Sequence, residues 1–218
     1  MERNTKEYTL LNQVLPVAVT SSTDATPIVM TVTAHGLLTG QKVLIQGHTT
    51  NIAANGIFLV KAATANTFAL GDRYTGADVA GSGAGAGSSG FCMLAPTVIL
   101  VEDFRNVVFS VFTSGTSTMT TKFYGSIGKP DVGTVANLTQ NDPNFGATVS
   151  AINPYSAIQI INLDTGSTLN GATGIVLSGA DTQTMYEANI NVLKYLTAFP
   201  VTWSGGTITI KAIVTGNL

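Results

Sequence analysis

The stretch Thr207-Ile208-Thr209-Ile210-Lys211-Ala212 alternates polar and apolar residues one by one. A period of two puts one face of a strand in a core and the other toward water, and a helix cannot use it. The same habit recurs along the chain. Tyr186, Ala188, Ile190 and Val192 alternate with Glu187, Asn189 and Asn191, so the best helix candidate, residues 184–196, reads as a strand in its first half. Residues 119–124 and 158–163 read as further strands. Residues 107–112 are almost wholly apolar, which predicts a strand covered on both faces. Thr, Val and Ile recur in short runs, with turn residues every ten or so positions. About a dozen short strands and almost no helix predict an all-β sandwich or barrel.

Charge is scarce. Asp, Glu, Lys and Arg make up 10% of the residues, against roughly 25% in ordinary soluble domains. The 10 basic and 12 acidic side chains leave a formal charge of -2, and the basic ones are scattered singly. Phosphate neutralisation needs clustered Lys and Arg, so nucleic acid is excluded as a partner. A chain that is 44% hydrophobic and so poor in charge is expected to cover part of its outside against other protein. Cys92 is the sole cysteine, which leaves no disulfide framework and no thiolate metal site. Between Phe91 and Met93 it reads as a small buried apolar residue. Residues 1–20 make a poor signal peptide, because Glu2 and Glu7 offset Arg3 and Lys6, and Asn12, Gln13 and Pro16 interrupt the apolar part. Residues 79–101 and 143–163 are long and uncharged or nearly so, but Gly, Ser, Asn and Pro break both, so no membrane span is expected.

Residues 81–90, Gly-Ser-Gly-Ala-Gly-Ala-Gly-Ser-Ser-Gly, cannot form a core. Read as a long loop, they leave Phe91, Cys92, Met93 and Leu94 as the last strand of a first domain. The expected organisation is an amino-terminal arm over 1–24 that orders against a partner, a small β-barrel over 25–95, and a second β domain over 96–218, the boundary falling at Ala95-Pro96.

Residues 26–47 carry a His35-Gly36 turn and a re-entry at Gly40 into Lys42–Gln46, followed by Asn55-Gly56 before Ile57-Phe58-Leu59-Val60, then Asn66-Thr67-Phe68-Ala69-Leu70. This pattern resembles a small β-barrel module of tailed-bacteriophage virion proteins, which is also similar to the first catalytic cysteine half-domain of ubiquitin-activating enzymes, structural there. Every motif residue has a role in folding. Gly36 takes a positive φ, Asn55-Gly56 suits a tight hairpin turn, and Phe58, Val60 and Phe68 supply core. The second domain resembles phage jelly-roll-like domains through Thr97-Val98-Ile99-Leu100-Val101, Phe104, Asn106, Tyr186-Glu187-Ala188-Asn189 and the closing Gly205-Gly206-Thr207-Ile208-Thr209-Ile210. The resemblance implies a small β-barrel followed by a jelly-roll-like β-sandwich.

The chemistry-bearing patterns fail on context. Gly85-Ala86-Gly87-Ser88-Ser89-Gly90 matches a dinucleotide fingerprint, but no strand leads into it and no helix follows. Gly125-Ser126-Ile127-Gly128-Lys129-Pro130 is too short for a phosphate loop and has Pro130 in place of the hydroxyl. No Gly-x-Ser-x-Gly elbow exists. His35 and His48 read as exposed turn histidines that would need Asp72 to hold a metal. Glu102 and Asp103 are adjacent, so on a strand they point to opposite faces and make a poor acid–base pair. Asp131, Asp142 and Asn144 lie in a Pro/Asn/Gly-rich loop that turn chemistry explains as well as a cation would. Asn137-Leu138-Thr139 is a glycosylation sequon with no meaning outside a secreted chain. Trp203 reads as a core or interface aromatic, with a sugar-stacking platform as the alternative.

No catalytic, cofactor-binding or metal-ligating residue is assigned, and no cofactor. The expected function is a non-catalytic structural part of a tailed-phage virion: a capsid decoration or cement protein that contacts copies of itself and the major capsid protein. A tail or baseplate component, or a carbohydrate-binding host-adhesion module presenting residues 129–146, are the alternatives.

Overall fold

The protein is described by a computed structural model over residues 3–82, 85–86, 90–127, 155–171 and 173–217. Among these residues there is no α-helix; the one helical element is a 3₁₀ turn at Ile52–Ala54. The fold is all-β. It divides into two units, one holding residues 15–95 and the other the described residues before 15 and after 95.

The chain opens with β1 (Arg3–Val14) and then enters the smaller unit. That unit is built from β2 (Val17–Ala18), β3 (Ser21–Ser22), β4 (Val29–Thr31), β5 (Lys42–Gln46), β6 (Gly56–Lys61), β7 (Thr67–Asp72), β8 (Gly85–Ala86) and β9 (Phe91–Leu94). Its sheet order is β2-β9-β5-β6-β7-β4-β3-β8. β2 and β3 are two residues apart in sequence yet lie near opposite ends of that order, so the sheet must close on itself. The closing segment bonds both ways: the Val19 N–H donates to Gly90 O at 3.1 Å and the Thr20 N–H to Thr31 O at 2.9 Å. Ile28, Met30, Val43, Ile45, Phe58, Val60, Phe68, Leu70 and Cys92 fill the barrel. Gly90 has a φ of +81° and a Cβ there would sit 2.2 Å from Gln46 O, so only glycine permits that approach.

One local expectation changes here. Asn55-Gly56 is no tight turn: Gly56 already pairs with Ile45, and the connection is the longer run 47–55. Its geometry is set by the Asn55 side chain, which accepts from the His48 N–H at 2.8 Å and donates to His48 O at 2.7 Å. The Gly/Ser tract lies within the smaller unit, where Gly85–Ala86 pairs with β3.

The larger unit contains β1 with β10 (Ile99–Leu100), β11 (Asn106–Ser114), β12 (Thr116–Ser126), β13 (Tyr155–Ala157), β14 (Ile160–Asn162), β15 (Thr168–Leu169), β16 (Ile175–Ala180), β17 (Gln183–Asn189), β18 (Tyr195–Ser204) and β19 (Thr207–Asn217). One sheet runs β1-β19-β11-β17-β14-β15; the other runs β10-β18-β12-β13, with β16 also on β12. Along the eight strands β1, β10, β11, β12, β16, β17, β18 and β19, the chain changes sheet at every step except from β12 to β16. Four strands, β1-β19-β11-β17, therefore face β10-β18-β12-β16 as one antiparallel ribbon wound over itself, which is the jelly-roll arrangement. β13, β14 and β15 are additions to it.

Alternation made these strands. Val107, Phe109 and Val111 of β11 are buried, as are Ile208, Ile210, Ala212 and Val214 of β19 and Met119 and Phe123 of β12. Phe123 packs across the sandwich on Phe109, ring centroids 4.4 Å apart, and on Tyr186 at 6.0 Å. The expected order of domains is corrected: the barrel is inserted between the first and second jelly-roll strands rather than preceding the whole domain. The arm expected over 1–24 is corrected with it, because Arg3–Val14 pairs antiparallel with β19 from Arg3↔Asn217 to Val14↔Ile208. That pairing spans nearly the full chain, and local sequence carries no sign of it.

Candidate functional site

His35, His48 and Asp72 are spent on the fold. His35 is buried rather than exposed: its Nδ1 accepts from the Leu37 N–H at 2.9 Å, its Nε2 lies 3.4 Å from Thr67 O, and its ring meets Phe68 edge-on at 5.0 Å. With Nδ1 accepting from the Leu37 N–H, the ring locks the turn. His48 is buried as well, with Nε2 2.7 Å from Ser22 Oγ. Both turns are packed over by the barrel's own strands, which local sequence does not reveal. Asp72 Oδ1 accepts from the Tyr74 and Thr75 N–H groups at 2.8 and 2.7 Å, closing an Asx turn after β7. Among the described residues no group of three His, Cys, Asp or Glu could hold a metal ion. Glu102 pairs with Lys194 at 3.7 Å, both exposed. Trp203 is half-buried, and its Nε1 donates to Gly206 O at 3.1 Å across the β18–β19 turn. Asp131, Asn137, Asp142 and Asn144 lie outside the described residues.

Cys92 sits inside the barrel, and burial pushes its thiol from an ordinary 9.0 up to about 12. In the folded chain it stays protonated at pH values where an unfolded thiol ionises. Above pH 9 the unfolded state therefore holds fewer protons than the folded one, and stability falls by roughly 1.4 kcal/mol per pH unit until about pH 12. Native protein is expected to leave a thiol reagent unconsumed, denatured protein to consume one equivalent, and Cys92→Ala to flatten this alkaline decline in urea melts. Prompt reaction of the native thiol would contradict this burial.

Among the described residues, one extended surface is left partly uncovered. On the outer side of the six-stranded sheet, Val108 lies opposite both Ile213 and Glu187, and Glu187 lies opposite Ile161. One row along, Ser110 lies opposite Lys211 and Met185, and the Leu163 N–H donates to Met185 O at 3.0 Å. Phe112 follows, opposite Thr209 and Gln183. Ile213, Ile161, Leu163 and Met185 are each 40–46% exposed, and Val108 and Phe112 are half-buried. The Glu7–Lys211 ion pair, 3.0 Å, borders the patch. Covering the open part of each apolar side chain is worth about 1 kcal/mol by area, before any cost of association. The outer side of the facing sheet is different, a neutral hydroxyl surface of Thr118, Thr120, Ser178, Thr202 and Ser204 beside Val176.

The expectation that residues 107–112 are covered on both faces is corrected: the chain supplies the core for Val107, Phe109 and Val111 but covers Val108 and Phe112 only in part. The rest of the patch escapes sequence reasoning, although it leaves a trace. Val107-Val108, Ile160-Ile161 and Ile213-Val214 each place two apolar residues side by side in a strand, so one of each pair must face outward.

No protein family matches the sequence, and no curated protein matches it. Among solved structures, the PBSX exported protein XepA is similar over 99% of this chain and 82% of its own, at 10% sequence identity and a TM-score of 0.35.

Proposed function

We propose that this chain is a non-catalytic structural component of a tailed-phage particle, a decoration or cement protein that docks on the head shell through the outer face of its six-stranded sheet. The observation that carries the reading is the set of partly exposed apolar side chains Val108, Phe112, Ile161, Leu163, Met185 and Ile213 on one sheet face, interrupted by Glu187 and bordered by Lys211, on a chain with only 10% charged residues. Assembly needs area and shape rather than titratable groups. The motif resemblance over residues 26–70 supplies the virion context.

Ile161→Lys with Met185→Lys tests the docking face, since both side chains are exposed and the fold has no need of them. The natural chain is expected to co-sediment with purified particles, and the double variant to fold normally yet fall at least tenfold in particle-bound amount, as loss of about 1.4 kcal/mol or more requires. Undiminished incorporation of the double variant would overturn the docking face. Absence of the chain from particles would overturn the whole reading. Particles lacking the chain that burst on heating point to the head shell; intact heads without tails point to the tail.

A further inference from the structure

The edges of the two sheets in the larger unit are unequal. β1 carries Arg3, Lys6 and Glu7. Its Lys6 lies opposite the buried Val214, on the inward side, with its ammonium 4.8 Å from the Tyr8 ring centre. A charge turned inward along an edge discourages further strand addition. β10 and β15 are two residues long and β13 is three, too short to template a partner. β16 differs from all of them. Its six residues, Ile175-Val176-Leu177-Ser178-Gly179-Ala180, include no charge and no proline. They pair along β12 from Thr121↔Ile175 to Thr116↔Ala180, and among the described residues no strand pairs with their other side. Val176 is 65% exposed beside that edge. Gly179 has no side chain to obstruct an approaching backbone.

We propose that β16 is a self-association seam, at which two copies of this chain pair antiparallel through residues 175–180 and join their β10-β18-β12-β16 sheets into one. A strand edge offers alternating N–H and C=O groups, and an antiparallel copy related by a two-fold axis offers the same series in the complementary order. The second copy also meets no repulsion at the seam, since Val176 and Ser178 adjoin Thr120 and Thr118, all uncharged. The seam gives the building part proposed above its contact with itself. It rests on that reading for its purpose, while its geometry stands on the edge alone.

Sedimentation of the full chain from about 1 to about 100 μM is expected to show the mass doubling with concentration. Hydrogen exchange of the amides over 175–180 is expected to slow in step. Val176→Lys with Ser178→Lys sets like charges against each other across the two-fold axis, on side chains that already face solvent in one copy. This variant is expected to keep its far-UV circular dichroism and remain monomeric throughout. A natural chain that is monomeric at the highest concentration overturns the seam, as does a mass that the lysines leave unchanged. Should the variant fail to fold, the exchange of the natural chain decides: rates over 175–180 that ignore concentration overturn the proposal. None of these outcomes depends on particle binding through Ile161 and Met185, so the two readings fail separately.

Discussion

Removal of residues 1–14 is expected to abolish the folded larger unit. β1 is a jelly-roll strand, and its loss strips the β19 ladder on one side from Ile208 to Asn217. It also removes Leu10 and Leu11, which are 2% and 3% exposed. Two buried leucines are worth about 2–5 kcal/mol each, and a domain's net stability is only about 5–15 kcal/mol. Cooperative melting of the larger unit should disappear, and the truncated chain should aggregate through its newly opened β19 edge. Thermal melts followed by near-ultraviolet circular dichroism check this directly. A dispensable arm would leave the melt of the truncated chain unchanged.

Phe123→Ala is expected to cost about 3–5 kcal/mol. Phe123 is wholly buried and is the aromatic through which the two sheets meet, between Phe109 and Tyr186. A β-sandwich cannot close such a gap by moving one side chain, because both sheets are held in register by their ladders. Scaled to a unit of this size, the melting temperature should fall by roughly 6–20 °C. Val192→Ala, at a position 76% exposed and outside both proposed contact surfaces, should stay within about 0.5 kcal/mol of the natural chain. A Phe123→Ala melt no lower than that control would mean the sheets do not rely on this contact.

Much of the local structure is legible in the residues. Lys42–Gln46 and Phe91–Leu94 are strands where the pattern places them, and Gly36 has the positive φ, +65°, that its turn requires. The period of two in β17 and β19 identifies which residues of each strand face the core. Other features need the assembled fold. His35 and His48 carry no local sign that strands distant in sequence will bury them, and Asn55 reads as a turn residue because its bond to His48 crosses the connection. The patch residues Ile161, Met185 and Ile213 belong to three strands that only sheet order sets side by side.

By itself, the sequence determined that the chain is built of strands and that Phe58, Val60 and Phe68 belong to the barrel interior. These properties follow from the spacing and kind of neighbouring residues, which act over a few positions. The tertiary structure alone decided that β1 belongs with β19, that the barrel interrupts a jelly roll, and that, among the described residues, no strand pairs with the outer edge of β16. A backbone ladder bonds through N–H and C=O groups that nearly every residue carries, so strand partners are chosen by the packing of the whole and not by the residues that form the strand.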